Sequence, residues 1–180
     1  MLTTANQRQN QPQLDFCVIG GPNCGKSALR TYLRAHSQIF MPELETNFYA
    51  DDISVAQYDV PRRARDWRAY CKFFAAAADG QLLGEMSGAY LFSAQAIPNI
   101  LKDNPNARFI VMLRNPVDMA RSIHSYLLRT FEEDETSFQK AWELQEARAA
   151  GKRIPPRCKE PKLLLYRERC SFASQIERLF

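Results

Sequence analysis

Apolar and polar positions along the chain switch repeatedly between the strand period and the helix period. Residues Leu14–Gly20 (LDFCVIG) have a continuous apolar centre, Cys17-Val18-Ile19, which predicts a strand covered on both faces. A glycine-containing loop, Gly20–Gly25, follows. The spacing of Leu29, Tyr32, Leu33 and His36 then predicts a helix over Lys26–His36 with those four on one face. Gln38–Met41 reads as a short strand before Pro42, and Glu43–Asp52 as a polar loop carrying Phe48 and Tyr49. Trp67, Tyr70, Cys71 and Phe74 lie at helical spacing, so a helix is expected from Pro61 to about Ala78, stopped by Asp79-Gly80.

Gln81–Gly84 is a short strand candidate that ends at Glu85, and Phe92–Lys102 is a helix that Pro98 should kink. Ala107–Leu113 (ARFIVML) is the clearest strand pattern, apolar throughout after Arg108, and is expected at the centre of a parallel sheet. Asn115-Pro116 is a helix start, with Asn as cap and Pro in the first helical position. That helix should turn Val117, Ala120, Ile123, Leu127, Leu128 and Phe131 inward. Further helices are predicted over Phe138–Ala149 and Phe172–Phe180, separated by a Pro-, Lys- and Arg-rich stretch, Gly151–Pro161. The alternation of strands and helices predicts an α/β layered domain with a mainly parallel sheet.

Composition narrows the class. At 180 residues, with 46% apolar and 24% charged, the chain suits a single globular domain and argues against disorder. No apolar stretch reaches the roughly 18 residues of a membrane span. Met1–Gln13 is a polar tail without the apolar run of an export signal, so the domain is expected over residues 14–180 and the chain reads as cytoplasmic. The net charge of +4 suits an anionic ligand but is no basic stripe for nucleic acid. Five scattered cysteines, none in a CxxC pair, indicate neither a disulfide framework nor a zinc site. The two histidines, His36 and His124, have no partners at metal-ligand spacing, so no metal site is expected.

Gly20–Ser27 reads GGPNCGKS, a match to G-x-x-x-x-G-K-[ST] between a strand and a helix. Glycines permit the tight turn that converges backbone N–H groups on an anion, the helix adds its positive end, and Lys26 adds a full charge. A nucleotide hydrolase or kinase would also need a magnesium carboxylate at the end of a neighbouring apolar strand. The FIVML strand ends instead in Leu113-Arg114-Asn115-Pro116. An arginine there repels a metal and attracts a second anion, which favours a ligand with two separate phosphate groups.

Four segments in order carry a resemblance. The loop, Ile39–Asp52 (IFMPELETNFYADD), Leu83–Leu91 (LGEMSGAYL) and Ala107–Tyr126 (ARFIVMLRNPVDMARSIHSY) resemble bacterial sulfotransferases that use 3′-phosphoadenosine 5′-phosphosulfate. Residues 141–155 and 166–180 look like the family's helical region. The resemblance implies a three-layer α/β/α fold with a central, mainly parallel sheet, of the P-loop nucleoside triphosphate hydrolase type. It implies that Gly21, Pro22, Asn23, Cys24, Gly25, Lys26, Ser27 and Ala28 bind the 5′-phosphosulfate, and that Arg114 and Ser122 bind the 3′-phosphate. It implies Glu45 as catalytic base, with Glu43 as competitor, and a small-molecule or carbohydrate acceptor. The product would be 3′,5′-adenosine bisphosphate. Glu85 is expected either to orient substrate or to pair with a basic residue.

The chain departs from the family pattern in two ways. The family loop usually carries Lys or Arg after the proline, where this chain has Asn23; Lys26 is expected to supply that charge. Relatives also often carry a lysine where this chain has Leu44 or Met86. Family domains continue past the last helix with a further strand and a basic loop, so the chain reads as lacking its C-terminal part. An exposed apolar sheet edge, with poor solubility or dimerisation, would follow. Two other readings stand beside the sulfotransferase: a P-loop ATP- or GTP-dependent kinase, and a non-catalytic remnant that binds the donor or its product.

Overall fold

The computed structural model describes residues 12–53 and 66–179. Four strands, β1 (Phe16–Gly20), β2 (Ile39–Phe40), β3 (Leu82–Met86) and β4 (Arg108–Met112), form one parallel sheet in the order β2-β3-β1-β4. Parallel neighbours require crossovers, and helices supply them. They are α1 (Lys26–Arg34), α2 (Trp67–Lys72) and α3 (Ala96–Asp103). After β4 the chain continues through α4 (Pro116–Arg129), α5 (Phe138–Glu143), α6 (Gln145–Ala149), α7 (Tyr166–Cys170) and α8 (Phe172–Ile176).

Every residue of β1 is buried. Its side chains alternate between two cores, as the strand period requires. Cys17 and Ile19 pack with Tyr70 and Phe74 and with Ile97 and Ile100 of α3. Phe16 and Val18 face the other way, onto Met41, Met86 and the Leu29 and Leu33 of α1. Helices therefore cover both faces, and the architecture is the three-layer α/β unit expected.

Several boundaries and faces differ from expectation. β4 is the edge strand rather than a central one. Phe109 and Val111 face one core and Met112 the other, while Ile110 and Leu113 are 39% and 45% exposed. On α1 only Leu29 and Leu33 turn inward; Tyr32 and His36 are exposed. Val117 and Phe131 are also exposed, the latter beneath the Arg157 guanidinium. Pro98 is the third residue of α3, where its missing N–H costs no intrahelical bond, so the expected cause of a kink is gone. Of the helix expected over Pro61–Ala78, the described residues show α2, which ends at Lys72; residues 61–65 lie outside the described ones. The Phe138–Ala149 helix divides at Leu144. The last helix is α8 followed by a tight turn, Glu177–Leu179, and α7 precedes it. The expected start of α4 is present: Asn115 Oδ1 accepts from the N–H groups of Val117 and Asp118.

A third core joins α4, α5 and α7, with Met119, Ile123, Leu127, Leu163, Leu164 and Tyr166 buried. At its centre Arg148 makes a two-pronged ion pair with Glu133, at 2.7 and 2.6 Å, with both side chains fully buried. Tyr166 donates its hydroxyl to the same carboxylate at 2.5 Å. Burial by itself would raise the Glu133 carboxyl, but the Arg148 and Tyr166 hydrogen bonds outweigh it and hold the group below its ordinary range. This lowered pKa contributes stability that is complete above the unfolded carboxylate pKa and disappears as pH falls through the folded one.

Arg148→Met, which strands a buried carboxylate, is expected to cost about 3–5 kcal/mol in urea unfolding. The stability gap between the native chain and Glu133→Gln should narrow as pH falls from about 6 to about 3. A gap that is flat with pH would contradict this account of the pair.

Candidate functional site

The loop after β1 is shaped by close backbone approach. Gly20 lies opposite Met112 of β4, and a Cβ there would stand 2.0 Å from the Met112 carbonyl oxygen. Gly25 caps α1 in the left-handed region (φ 87) without any side-chain capping bond, so the first amides of the helix are not taken by a cap side chain. Between them Asn23 also sits at positive φ (55). Its Nδ2 donates to Ser122 Oγ of α4 at 2.6 Å, and its carbonyl accepts from Arg114 Nη1 at 3.4 Å. Asn23 thus joins the loop to both residues expected at the 3′-phosphate.

Lys26 does not project into open space. It is buried, and its Nζ donates to the carbonyls of Gly20 at 3.1 Å and Gly21 at 2.7 Å. Cys24 Sγ also donates to the Gly21 carbonyl and lies 3.8 Å from Nζ. Burial lowers the Lys26 pKa, outweighing the opposite pull of Cys24 and Glu45, and the charge of Arg169 lowers it further.

A cavity of about 600 Å³ opens over the loop, lined by Pro22, Asn23, Cys24, Gly25, Lys26, Ser27, Glu45, Gly88, Ile123, Tyr126 and Arg169. Of the expected site residues, Pro22 to Ser27 and Glu45 share this cavity. Arg114 and Ser122 do not line it; each is bonded to Asn23, which does. Gly21 lies behind the loop, buried against Met119, and Ala28 is exposed on α1, away from the lining. Glu43 is exposed and does not line the cavity. Ile123, Tyr126, Gly88 and above all Arg169 were not legible beforehand. The stretch YRERC contains two similar arginines, and only packing separates buried Arg169 from exposed Arg167.

The position of Glu45 follows from a buried hub. Its Oε2 accepts from the Gly88 amide at 2.8 Å. The segments on both sides of that contact are fastened together. The Asn47 amide donates to Ser87 Oγ, the Ala89 amide to Asn47 Oδ1, and the Tyr49 amide to the Tyr90 hydroxyl. Underneath, fully buried Glu85 accepts hydroxyl hydrogen bonds from Tyr70 at 2.6 Å, Ser87 at 2.6 Å, Tyr90 at 2.7 Å and from Thr46. Hydrogen bonds to a charged acceptor are the strong kind, and four of them replace the counter-ion. Glu85 therefore neither lines the cavity nor pairs with a basic residue among the described residues. Burial, and then the Glu85 charge, push the Tyr70 and Tyr90 hydroxyls well above their ordinary pKa. His124 is likewise structural, its Nε2 bonded to the Glu135 carbonyl at 2.8 Å.

No protein-family model matches the chain, and no curated protein matches it. Among solved structures, the sulfotransferase from Alicyclobacillus acidocaldarius superposes with a TM-score of 0.76 at 28% identity, over 93% of this chain and 68% of that one. The sulfotransferase domain from the curacin biosynthetic pathway aligns at 14% identity and a TM-score of 0.46, over 93% of this chain and 62% of that one. The chain has the fold of the bacterial sulfotransferases.

Glu85→Gln puts an amide donor where at least one hydroxyl now donates, and is expected to lower stability by about 1–3 kcal/mol in urea unfolding. A neutral effect would show that the hub is not held by these bonds.

Proposed function

We propose that the chain is a metal-independent sulfotransferase that takes a sulfuryl group from 3′-phosphoadenosine 5′-phosphosulfate to a hydroxyl or amine of a small-molecule or carbohydrate acceptor. The observation that carries this reading is the meeting of Arg114 and Ser122 at Asn23. A guanidinium and a hydroxyl thus meet at the loop without lining its cavity, which suits a second phosphate beside the one the loop amides bind. A nucleotide kinase is disfavoured because β4 leads to Arg114 where that chemistry requires a magnesium carboxylate. The sulfotransferase fold and the cavity over the loop support the same reading.

Each residue then has a definite task. The amides of the loop and of the first turn of α1 bind the 5′ end of the donor. Arg114 and Ser122 bind its 3′-phosphate by a charged hydrogen bond and a hydroxyl donor. The donor supplies an activated sulfuryl group whose sulfur–oxygen bond breaks with the electron pair left on the 5′-phosphate. Glu45, held through Oε2 by the Gly88 amide, receives the acceptor's proton on Oε1, which accepts no hydrogen bond among the described residues. Lys26 serves mainly to close the loop on itself, since two of its donors are spent on the Gly20 and Gly21 carbonyls.

Calorimetric titration should show binding of 3′,5′-adenosine bisphosphate that is indifferent to magnesium and tighter than that of ATP. Magnesium-dependent preference for ATP would instead favour the kinase. With an acceptor panel, Glu45→Gln should reduce sulfuryl transfer about a hundredfold or more while bisphosphate affinity holds. Bisphosphate binding with no transfer to any acceptor by the native chain would favour the non-catalytic reading, which Asn23 in place of a loop cation supports.

A further inference from the structure

Arg169 belongs to α7, outside every segment that marks the loop, yet its side chain reaches the cavity over that loop. Only 7% of it is exposed. Nη1 donates to the Leu163 carbonyl at 3.3 Å, and the guanidinium lies 5.8 Å from the centre of the Phe92 ring. No carboxylate lies within ion-pair distance of it among the described residues. A guanidinium taken out of water without a counter-charge is costly, so its place in the fold needs a compensating anion. Lys26 is the other cation of the lining, and its ammonium already serves loop carbonyls. The two residues share one lining, and the charge of Arg169 contributes to lowering the Lys26 pKa.

The arginine is also firmly mounted. Three residues earlier, Tyr166 is bonded to Glu133, which Arg148 grips with two hydrogen bonds. The guanidinium carbon also lies over the ring of Phe92, from the segment between β3 and α3. Such mounting holds a planar, permanently charged fork in one orientation, which suits an oxygen-rich anion better than a flexible lysine would.

We propose that Arg169 is the binding residue for the anionic 5′ end of the nucleotide, supplying from α7 the positive charge that Asn23 does not supply from the loop. This inference rests on the function proposed above. The nucleotide is then held by cations on opposite sides of the loop, Arg114 at the 3′-phosphate and Arg169 at the 5′ end.

Fragments of the product separate the two ends. Calorimetry on the full chain would compare 3′,5′-adenosine bisphosphate with adenosine 5′-monophosphate and adenosine 3′-monophosphate, for the native protein, Arg169→Met, Arg169→Lys and Arg114→Met. Arg169→Met should weaken the bisphosphate and the 5′-monophosphate at least about tenfold and leave the 3′-monophosphate nearly unchanged. Arg169→Lys should recover part of the loss, and Arg114→Met should show the opposite selectivity. If Arg169→Met does not fold, Arg169→Lys decides by the same selectivity. Unchanged 5′-monophosphate affinity, or equal weakening of both monophosphates, would overturn the proposal while leaving the functional reading in place. A native protein that binds no bisphosphate would overturn both.

Discussion

The site depends on the parallel contact between the ends of β1 and β4. Gly20 faces Met112 so closely that a side chain at position 20 would collide with the Met112 carbonyl. That approach brings the loop leaving β1 beside the segment leaving β4. It sets Asn23 within reach of Arg114, and α4, capped by Asn115, then presents Ser122 to the Asn23 amide. An ordinary side chain at Gly20 would push the two strand ends apart and separate Asn23 from Arg114 and Ser122, the two residues proposed to bind the 3′-phosphate.

Two buried carboxylates carry the rest of the cavity, by different means. Glu85 is stabilised by four hydroxyl groups drawn from three segments, and through them the loop bearing Glu45 is fastened to the turn bearing Gly88. Glu133 is stabilised by a full counter-charge, Arg148, and fixes α7 through Tyr166. One network positions the carboxylate of the cavity and the other positions its arginine, Arg169. Neither touches the cavity itself. Stability and function are linked here because the groups that offset the cost of burial also set the geometry of the lining.

The features readable in the chain were the local ones. The strand, glycine loop and helix at 14–34 announce themselves by a buried apolar run and a spaced motif, and Asn115-Pro116 announces α4 by capping chemistry. The place of β4 was misjudged for a physical reason. An apolar run marks burial of a strand's faces, but not whether both of its edges are paired, and β4 has Ile110 exposed at the sheet margin. The Glu85 hub was hidden because its donors lie 2, 5, 15 and 39 residues away, at no period of strand or helix. Arg169 was hidden because a surface arginine and a buried one look alike until α7 is packed against α4. Asn23 looked like a plain loss of charge, whereas its amide and carbonyl serve Ser122 and Arg114.

The most direct check of the two-ended grip is a crystal structure of the protein with 3′,5′-adenosine bisphosphate bound. The account predicts the loop amides around the 5′-phosphate, with the Arg114 guanidinium and the Ser122 hydroxyl on the 3′-phosphate. An Arg114 side chain turned to solvent or paired with a carboxylate, with the 3′-phosphate held elsewhere, would contradict it.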